Sequence, residues 1–163
     1  MLAKKQLYQI IITMDRKLKI GLDFHGVINQ NFDFFREFCR YAQARGHLIY
    51  IISGGPLEDI KKTLDEHFIA YSYVFAIYDH FKALGKVDEN NRIEDELWNK
   101  AKKDFWDKHH IDFHLDDSPE YCRYAPDVCS VFDKTSQSCS IFQKKVLLNS
   151  PLEFLKEIEL NYT

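Results

Sequence analysis

Short apolar runs alternate along the chain with stretches whose apolar residues recur at helical spacing. Five runs rich in β-branched and aromatic residues predict strands at Lys17–Phe24, His47–Ser53, Ser72–Tyr78, His110–Asp116 and Cys129–Asp133. Helical periodicity predicts helices at Phe32–Arg45, Leu57–His67, Leu97–His109 and Pro151–Leu160. Strands that alternate with helices favour an α/β fold, a three-layer sandwich around a parallel sheet of about five strands.

The remaining segments predict the domain organisation. Residues 14–163 are expected to form a single domain, because all the predicted elements lie there and the length suits one core. Residues 1–13 are interpreted as an N-terminal appendage or an edge strand. Residues 83–96 are rich in turn-forming and charged residues, which predicts a loop.

Composition narrows the class of protein. The chain has 163 residues, of which 45% are hydrophobic and 29% charged, as in ordinary globular proteins. Its formal net charge of −3 offers no electrostatic case for binding nucleic acid. No apolar run reaches the length of a membrane span, and no secretory signal pattern is seen. The four cysteines show no Cys-x-x-Cys spacing, so we expect reduced thiols in a cytoplasmic protein that does not contact membranes.

Polar residues suited to chemistry follow three of the predicted strands. Asp23 ends the first, Ser53-Gly54-Gly55 the second, and Asp116-Asp117 the fourth. The carboxyl ends of parallel strands share one edge of a sheet, so these residues are expected to converge. Clustered carboxylates repel one another unless a cation lies between them, which favours a divalent ion such as Mg2+. Hydroxyl and glycine amide groups nearby are typical of phosphate sites.

Four short motifs in this order resemble those of the haloacid dehalogenase-like hydrolases, most of which are phosphatases. The motifs are Asp23-Phe24-His25-Gly26-Val27, Tyr50-Ile51-Ile52-Ser53, a lysine at Lys100, and Phe113-His114-Leu115-Asp116-Asp117. The resemblance covers roughly residues 17–135. It implies a Rossmann-like sheet with the Asp23 strand between the Ser53 and Asp117 strands. Many members of this family have a cap domain that closes over the site. The resemblance implies a member without such a domain, because predicted elements fill the intervals where cap domains are inserted. Residues 79–96 could form at most a small lid.

The resemblance implies a role for each site residue. Asp23 would be the nucleophile that forms an aspartyl-phosphate. Ser53, Gly54 and Lys100 would bind the phosphoryl group, with Lys102 and Lys103 as alternatives to Lys100. Mg2+ would be held by Asp23, by the backbone carbonyl of His25, and by one or both of Asp116 and Asp117.

His25 departs from the family pattern, which has an acid–base aspartate at this position. The resemblance implies Mg2+-dependent hydrolysis of a phosphomonoester such as a nucleotide or small phosphorylated metabolite, with His25 as acid and base. The second hypothesis is a catalytically impaired protein that binds phosphate and metal. The third hypothesis is transfer of the phosphoryl group to an acceptor other than water. The expected partner is a small phosphoester, and a homo-oligomer is possible.

Two other patterns have simpler interpretations. Asp117 precedes Pro119 and could cap a helix there as well as bind metal. The group His109, His110, Asp112 and His114 is interpreted as side chains that pair within the fold rather than as a zinc site.

Overall fold

A mixed sheet of seven strands crosses the protein in a computed structural model that describes residues 16–163. The strands are β1 (Lys19–Leu22), β2 (Leu48–Ser53), β3 (Tyr73–Ala76), β4 (Phe113–Asp116), β5 (Cys129–Asp133), β6 (Ser138–Ile141) and β7 (Lys144–Leu147). Their order is β3-β2-β1-β4-β5-β6-β7. The first five pair in parallel, and β6 and β7 extend the sheet in antiparallel fashion.

Within residues 16–163, six helices accompany the sheet. They are α1 (Phe32–Ala44), α2 (Leu57–Glu66), α3 (Ile77–Ala83), α4 (Asp95–His109), α5 (Pro119–Cys122) and α6 (Pro151–Tyr162), with a 3-10 turn at Ile28–Gln30. Side chains from α1, α2 and α6 pack in one core with Ile51 of β2, whereas α4 and α5 pack in another with the adjacent Ile52. Because neighbouring residues of a strand point to opposite faces, the helices form two layers with the sheet between them. No helix within residues 16–163 is long and apolar enough to cross a membrane.

The strand register brings three strand ends together. Leu22 of β1 lies opposite Ile51 of β2 and Leu115 of β4. The next residues along these parallel strands therefore leave the sheet at the same edge. They include Asp23 and Asp116, and this edge is where the candidate site lies.

The predicted α/β fold is confirmed in outline, including the position of β1 between β2 and β4. The five predicted parallel strands are present, but the two antiparallel strands β6 and β7 were missed. Both are short, and the turn between them, Phe142-Gln143, has positive φ at both residues without the Asn-Gly or Gly pair that usually marks such a hairpin. The third run was predicted to continue to Tyr78, but β3 ends at Ala76 and α3 begins at once. The predicted appendage, residues 1–13, lies outside the described residues.

The C-terminal helix α6 completes the core on its side of the sheet. Phe154 is 1% exposed, and its ring lies 5.3 Å from that of Phe38 and 6.2 Å from that of Phe113. Arg45 donates to both carboxylate oxygens of Glu159, at 2.6 and 2.8 Å, and His47 contacts the same carboxylate at 2.7 Å. The helix is therefore held by aromatic packing and by a partly buried polar cluster.

Replacing Phe154 by Ala should destabilise the protein by about 3–5 kcal/mol, because it opens a cavity among these rings. Leu160→Ala on the same helix is the matched control, since Leu160 is 75% exposed and should change the free energy of unfolding by no more than about 0.5 kcal/mol. Urea unfolding followed by circular dichroism measures both. Equal stabilities for the two variants would show that α6 is not part of the core.

Candidate functional site

A cavity of about 490 Å³ opens at the carboxyl ends of β1, β2 and β4. Residues that line it include Asp23, His25, Gly26, Asn29, Gln30, Ser53, Gly54, Lys102, Asp117, Tyr121 and Lys134. Most of these side chains are polar or charged. The cavity therefore suits a small anionic or metal-bound ligand better than an apolar one.

Asp23 is buried at the inner end of the cavity and is held through one oxygen. Ser53 Oγ donates to Asp23 Oδ1 at 2.6 Å, and the backbone N–H of Phe24 donates to the same oxygen at 2.8 Å. No hydrogen bond from residues 16–163 reaches Oδ2. Burial raises the pKa of Asp23 to about 6; the Lys102 ammonium opposes this rise, and the Asp116 carboxylate adds to it. Asp23 is therefore fixed through Oδ1, and Oδ2 is left available to a ligand.

Lys102 is the buried cation of the site. Its side chain is 2% exposed, and Nζ lies 2.5 Å from Asp116 Oδ2 and 3.3 Å from Asp23 Oδ1. Burial disfavours the charged form, but the Asp23 and Asp116 carboxylates outweigh it and raise the pKa of Lys102. The Tyr121 ring covers the ammonium, with its centroid 4.4 Å from Nζ.

Lys100, the lysine predicted to bind phosphate, does not line this cavity. Lys100 is exposed and pairs with Glu96 at 2.6 Å, and Lys103 pairs with Asp107. Helical geometry explains the difference, because Lys102 lies on the side of α4 that buries Ala101, Phe105 and Trp106. Of the three lysines that the sequence left open, only Lys102 lines the cavity.

Asp116 is fully buried, and both of its carboxylate oxygens accept hydrogen bonds. His114 Nε2 contacts its Oδ2 at 3.0 Å, and the backbone N–H of Ser118 donates to Oδ1 at 3.0 Å. Burial favours the neutral acid, but the His114 hydrogen bond and the Lys102 ammonium outweigh it and hold the pKa of Asp116 well below its usual range. The role of His114 was missed in the sequence. Its position two residues before Asp116, on the same face of β4, was the available signal.

Asp117 approaches the loop after β1 because residue 26 is glycine. Gly26 has φ +84°, and a Cβ there would lie 2.1 Å from Asp117 Oδ2. The same oxygen lies 2.9 Å from Lys134 Nζ. The N-cap of α5 is Ser118, so the alternative interpretation of Asp117 as a helix cap is not supported.

The carboxylates of Asp23, Asp116 and Asp117 can together hold a metal ion. Each offers an oxygen, and these three oxygens lie within 4.8 Å of one another. Carboxylate oxygens alone suit a hard divalent cation such as Mg2+ rather than zinc. The space left by the missing side chain of Gly26 is what lets the third carboxylate join the group.

The other predicted site residues lie around the opening. His25 is exposed, with Nε2 3.3 Å from the backbone carbonyl of Gly55. Ser53 and Gly54 line the cavity beside Asp23, and Trp98 packs so closely over Gly54 that a Cβ there would lie 3.2 Å from the indole. The structure thus brings together Asp23, Ser53, Asp116 and Asp117, with His25 at the rim.

The expectation of reduced thiols is corrected for two cysteines. Cys122 and Cys129 form a disulfide, whereas Cys39 and Cys139 are free and buried. The two cysteines are seven residues apart in sequence and come together only when the end of α5 meets the start of β5. In the histidine group, Asp112 pairs within the fold and accepts hydrogen bonds from Arg16 and from the backbone N–H of Lys19.

Comparisons with known proteins show no family. No family model matches the chain, and no curated protein matches it. Among solved structures, the chain is similar to a glycosyltransferase from Rickettsia africae ESF-5, with 16% identity and a TM-score of 0.43. The match covers 72% of this chain and 31% of the glycosyltransferase, so the chain spans about a third of that protein. A likeness this distant carries no inference about function.

The predicted membership of the haloacid dehalogenase-like hydrolases is therefore wrong: the structural likeness found is to a glycosyltransferase, and no family model supports the four motifs. Each motif is only a few residues long. Acidic and hydroxyl residues recur at the carboxyl ends of parallel strands because that edge is where α/β sheets bind ligands. Such motifs can follow from sheet geometry without common descent.

Lys102→Met should destabilise the protein by about 3–5 kcal/mol, because it leaves the Asp116 carboxylate buried without its ammonium partner. Lys100→Met, two residues away on the exposed face of the same helix, should change the stability by no more than about 0.5 kcal/mol. Chemical denaturation of both variants tests the assignment of the buried lysine. The reverse order of stabilities would contradict it.

Proposed function

We propose that this protein is a Mg2+-dependent phosphomonoester hydrolase that acts through an aspartyl-phosphate on Asp23. The observation that carries the proposal is the carboxylate of Asp23, which is held through Oδ1 by Ser53 and leaves Oδ2 without a hydrogen bond from residues 16–163. A fixed carboxylate with one available oxygen, beside a buried ammonium and a group of metal ligands, is what a phosphoryl-accepting nucleophile needs.

The surrounding charges support phosphoryl transfer. Lys102 lies 3.3 Å from Asp23, and Ser53 and Gly54 line the same part of the cavity. Cationic and hydrogen-bond donors at this position stabilise the charge on a transferring phosphoryl group. A divalent ion held by Asp23, Asp116 and Asp117, with the His25 carbonyl as a further ligand, would neutralise part of that charge and position the phosphoryl oxygens.

The proposed reaction has two steps. Asp23 Oδ2 attacks phosphorus, the bond from phosphorus to the leaving oxygen breaks, and that oxygen takes a proton from the imidazolium of His25. A water molecule then gives a proton to the neutral imidazole and attacks the phosphorus of the aspartyl-phosphate. This releases inorganic phosphate and restores the carboxylate. The exposed rim position of His25 suits contact with a leaving group outside the cavity.

The shape of the site supports a substrate whose phosphate group is its smallest and most buried part. The cavity of about 490 Å³ is polar and open, with the buried cation at its inner end and His25 at its rim. A phosphate group would enter first, and the rest of the substrate would remain near the rim. We propose a small phosphorylated metabolite or a nucleotide as the substrate.

Asp23→Asn should reduce turnover of para-nitrophenyl phosphate in Mg2+ to background, because an amide cannot accept the phosphoryl group. Asp33→Asn is the matched control, since Asp33 is an exposed carboxylate on α1. Chelation of the metal should abolish the wild-type activity and added Mg2+ should restore it. Activity that survives in Asp23→Asn would contradict the proposed nucleophile. A wild-type chain that binds Mg2+ and phosphate but turns over no phosphoester would instead be the impaired binding protein.

His25→Ala should lower kcat/KM for an alkyl phosphate by about 100- to 10,000-fold, the usual range for a lost general acid. The loss should be smaller for para-nitrophenyl phosphate, because para-nitrophenolate leaves without protonation. His80→Ala, an exposed histidine outside the cavity, serves as the control. Equal losses on the two substrates would show that His25 does not protonate the leaving group.

A further inference from the structure

Two lysines line the cavity, and they are held very differently. Lys102 is buried between Asp23 and Asp116. Lys134 lies in the turn between β5 and β6, with its side chain 48% exposed and Nζ 2.9 Å from Asp117 Oδ2. The only ion pair found for Lys134 within residues 16–163 is therefore to a candidate metal ligand.

We propose that Lys134 is an exchangeable cation of this site. It neutralises Asp117 while no metal is bound, and it binds the anionic group of the ligand at the cavity mouth once a divalent ion occupies that carboxylate. The inference rests on the metal site of the proposed function and adds a residue that controls both metal affinity and anion affinity.

The turn that carries Lys134 is built by its neighbours. Asp133 accepts hydrogen bonds from the backbone N–H of Thr135 at 2.8 Å and from Ser136 Oγ at 2.8 Å, and Gln137 Nε2 donates to the Lys134 carbonyl. These contacts hold the backbone of the turn without using the Lys134 ammonium. The side chain can therefore change partner while its backbone stays in place.

The ion pair of Lys134 with Asp117 is easier to break than the ion pairs of Lys102 with Asp23 and Asp116. A partly exposed pair is screened by water and contributes little to stability, whereas a buried pair is costly to break. The Lys102 ammonium is enclosed by two carboxylates and by the Tyr121 ring. A divalent ion at the three carboxylates would compete with Lys134 for the Asp117 carboxylate, and the exposed Lys134 is easier to displace than the buried Lys102.

The net charge of the cavity depends on whether a divalent ion is bound. When all three carboxylates are ionised, the two ammonium groups leave the cavity one charge negative, which opposes the entry of a phosphate. A bound divalent ion reverses that sign. It also releases Lys134, which lines the same cavity as Lys102 and Ser53. Metal binding would thus favour anion binding in two ways: it makes the cavity positively charged, and it frees Lys134 to bind the anion.

Lys134→Met tests the proposal because it removes the charge and keeps most of the side-chain length. Titration calorimetry with Mn2+ alone should show metal binding roughly fivefold tighter or more, since a competing charge is gone. Titration of the Mg2+-saturated protein with inorganic phosphate should show binding weaker by roughly the same factor. Lys134→Arg should stay near wild type in both titrations, and Lys145→Met, on the adjoining strand β7 and exposed, is the matched control.

The opposite signs of the two effects are the signature of an exchangeable cation. Metal binding to Lys134→Met that is unchanged or weaker would overturn the proposal, as would unchanged phosphate affinity. These results leave the proposed function intact if the wild-type chain binds Mn2+ and hydrolyses phosphoesters. Failure of the wild-type chain to bind any divalent ion would overturn the proposed function and this inference together.

Discussion

The contact on which the site depends is the buried ion pair between Lys102 and Asp116. Three carboxylates lie within a few ångströms of one another at the end of the sheet, and burial alone would favour their neutral forms. The Lys102 ammonium lies 2.5 Å from Asp116 and 3.3 Å from Asp23. It therefore offsets part of the repulsion between the carboxylates. Together with the hydrogen bond from His114, it lowers the pKa of Asp116, whereas at Asp23 burial outweighs it and raises the pKa to about 6. This cation therefore favours the charged forms of both Asp23 and Asp116.

The fold supplies the arrangement that this ion pair requires. Parallel pairing of β1 with β4 places Asp23 beside Asp116, and α4 on one face of the sheet delivers Lys102 to both. Gly21 in β1 leaves room for the His114 ring, since a Cβ there would lie 2.5 Å from His114 Nδ1. His114 in turn contacts Asp116. A small residue in one strand thus allows the neighbouring strand to hold its carboxylate.

Sequence reasoning found the residues whose position depends on a strand end, and it missed those whose position depends on helix phase or on distant pairing. Asp23, Ser53 and Asp116 follow apolar runs, so a parallel sheet was enough to place them together. Lys102 could not be chosen from the run Lys100-Ala101-Lys102-Lys103, because lysine is normally exposed and only its buried carboxylate partners justify the exception. Lys134 escaped notice because β6, which follows its turn, was not predicted. The disulfide could not be predicted either, because it depends on which cysteines meet in the folded chain. The family could not be judged from four short motifs, because a family match depends on similarity along most of the chain.

The two sides of the cavity differ in how firmly they are held. On the side of α5, Tyr121 covers Lys102 and its hydroxyl accepts from Trp98 Nε1 at 2.7 Å, while the adjacent Cys122 is joined to β5 by the disulfide. On the other side, His25, Asn29 and Gln30 are exposed. Ordered aromatic groups around the inner cation exclude water and strengthen its electrostatic effect, whereas exposed polar groups at the rim can adjust to ligands of different shape. The site therefore combines a rigid interior, where charge is fixed, with an adaptable rim, where the bulk of a ligand would lie.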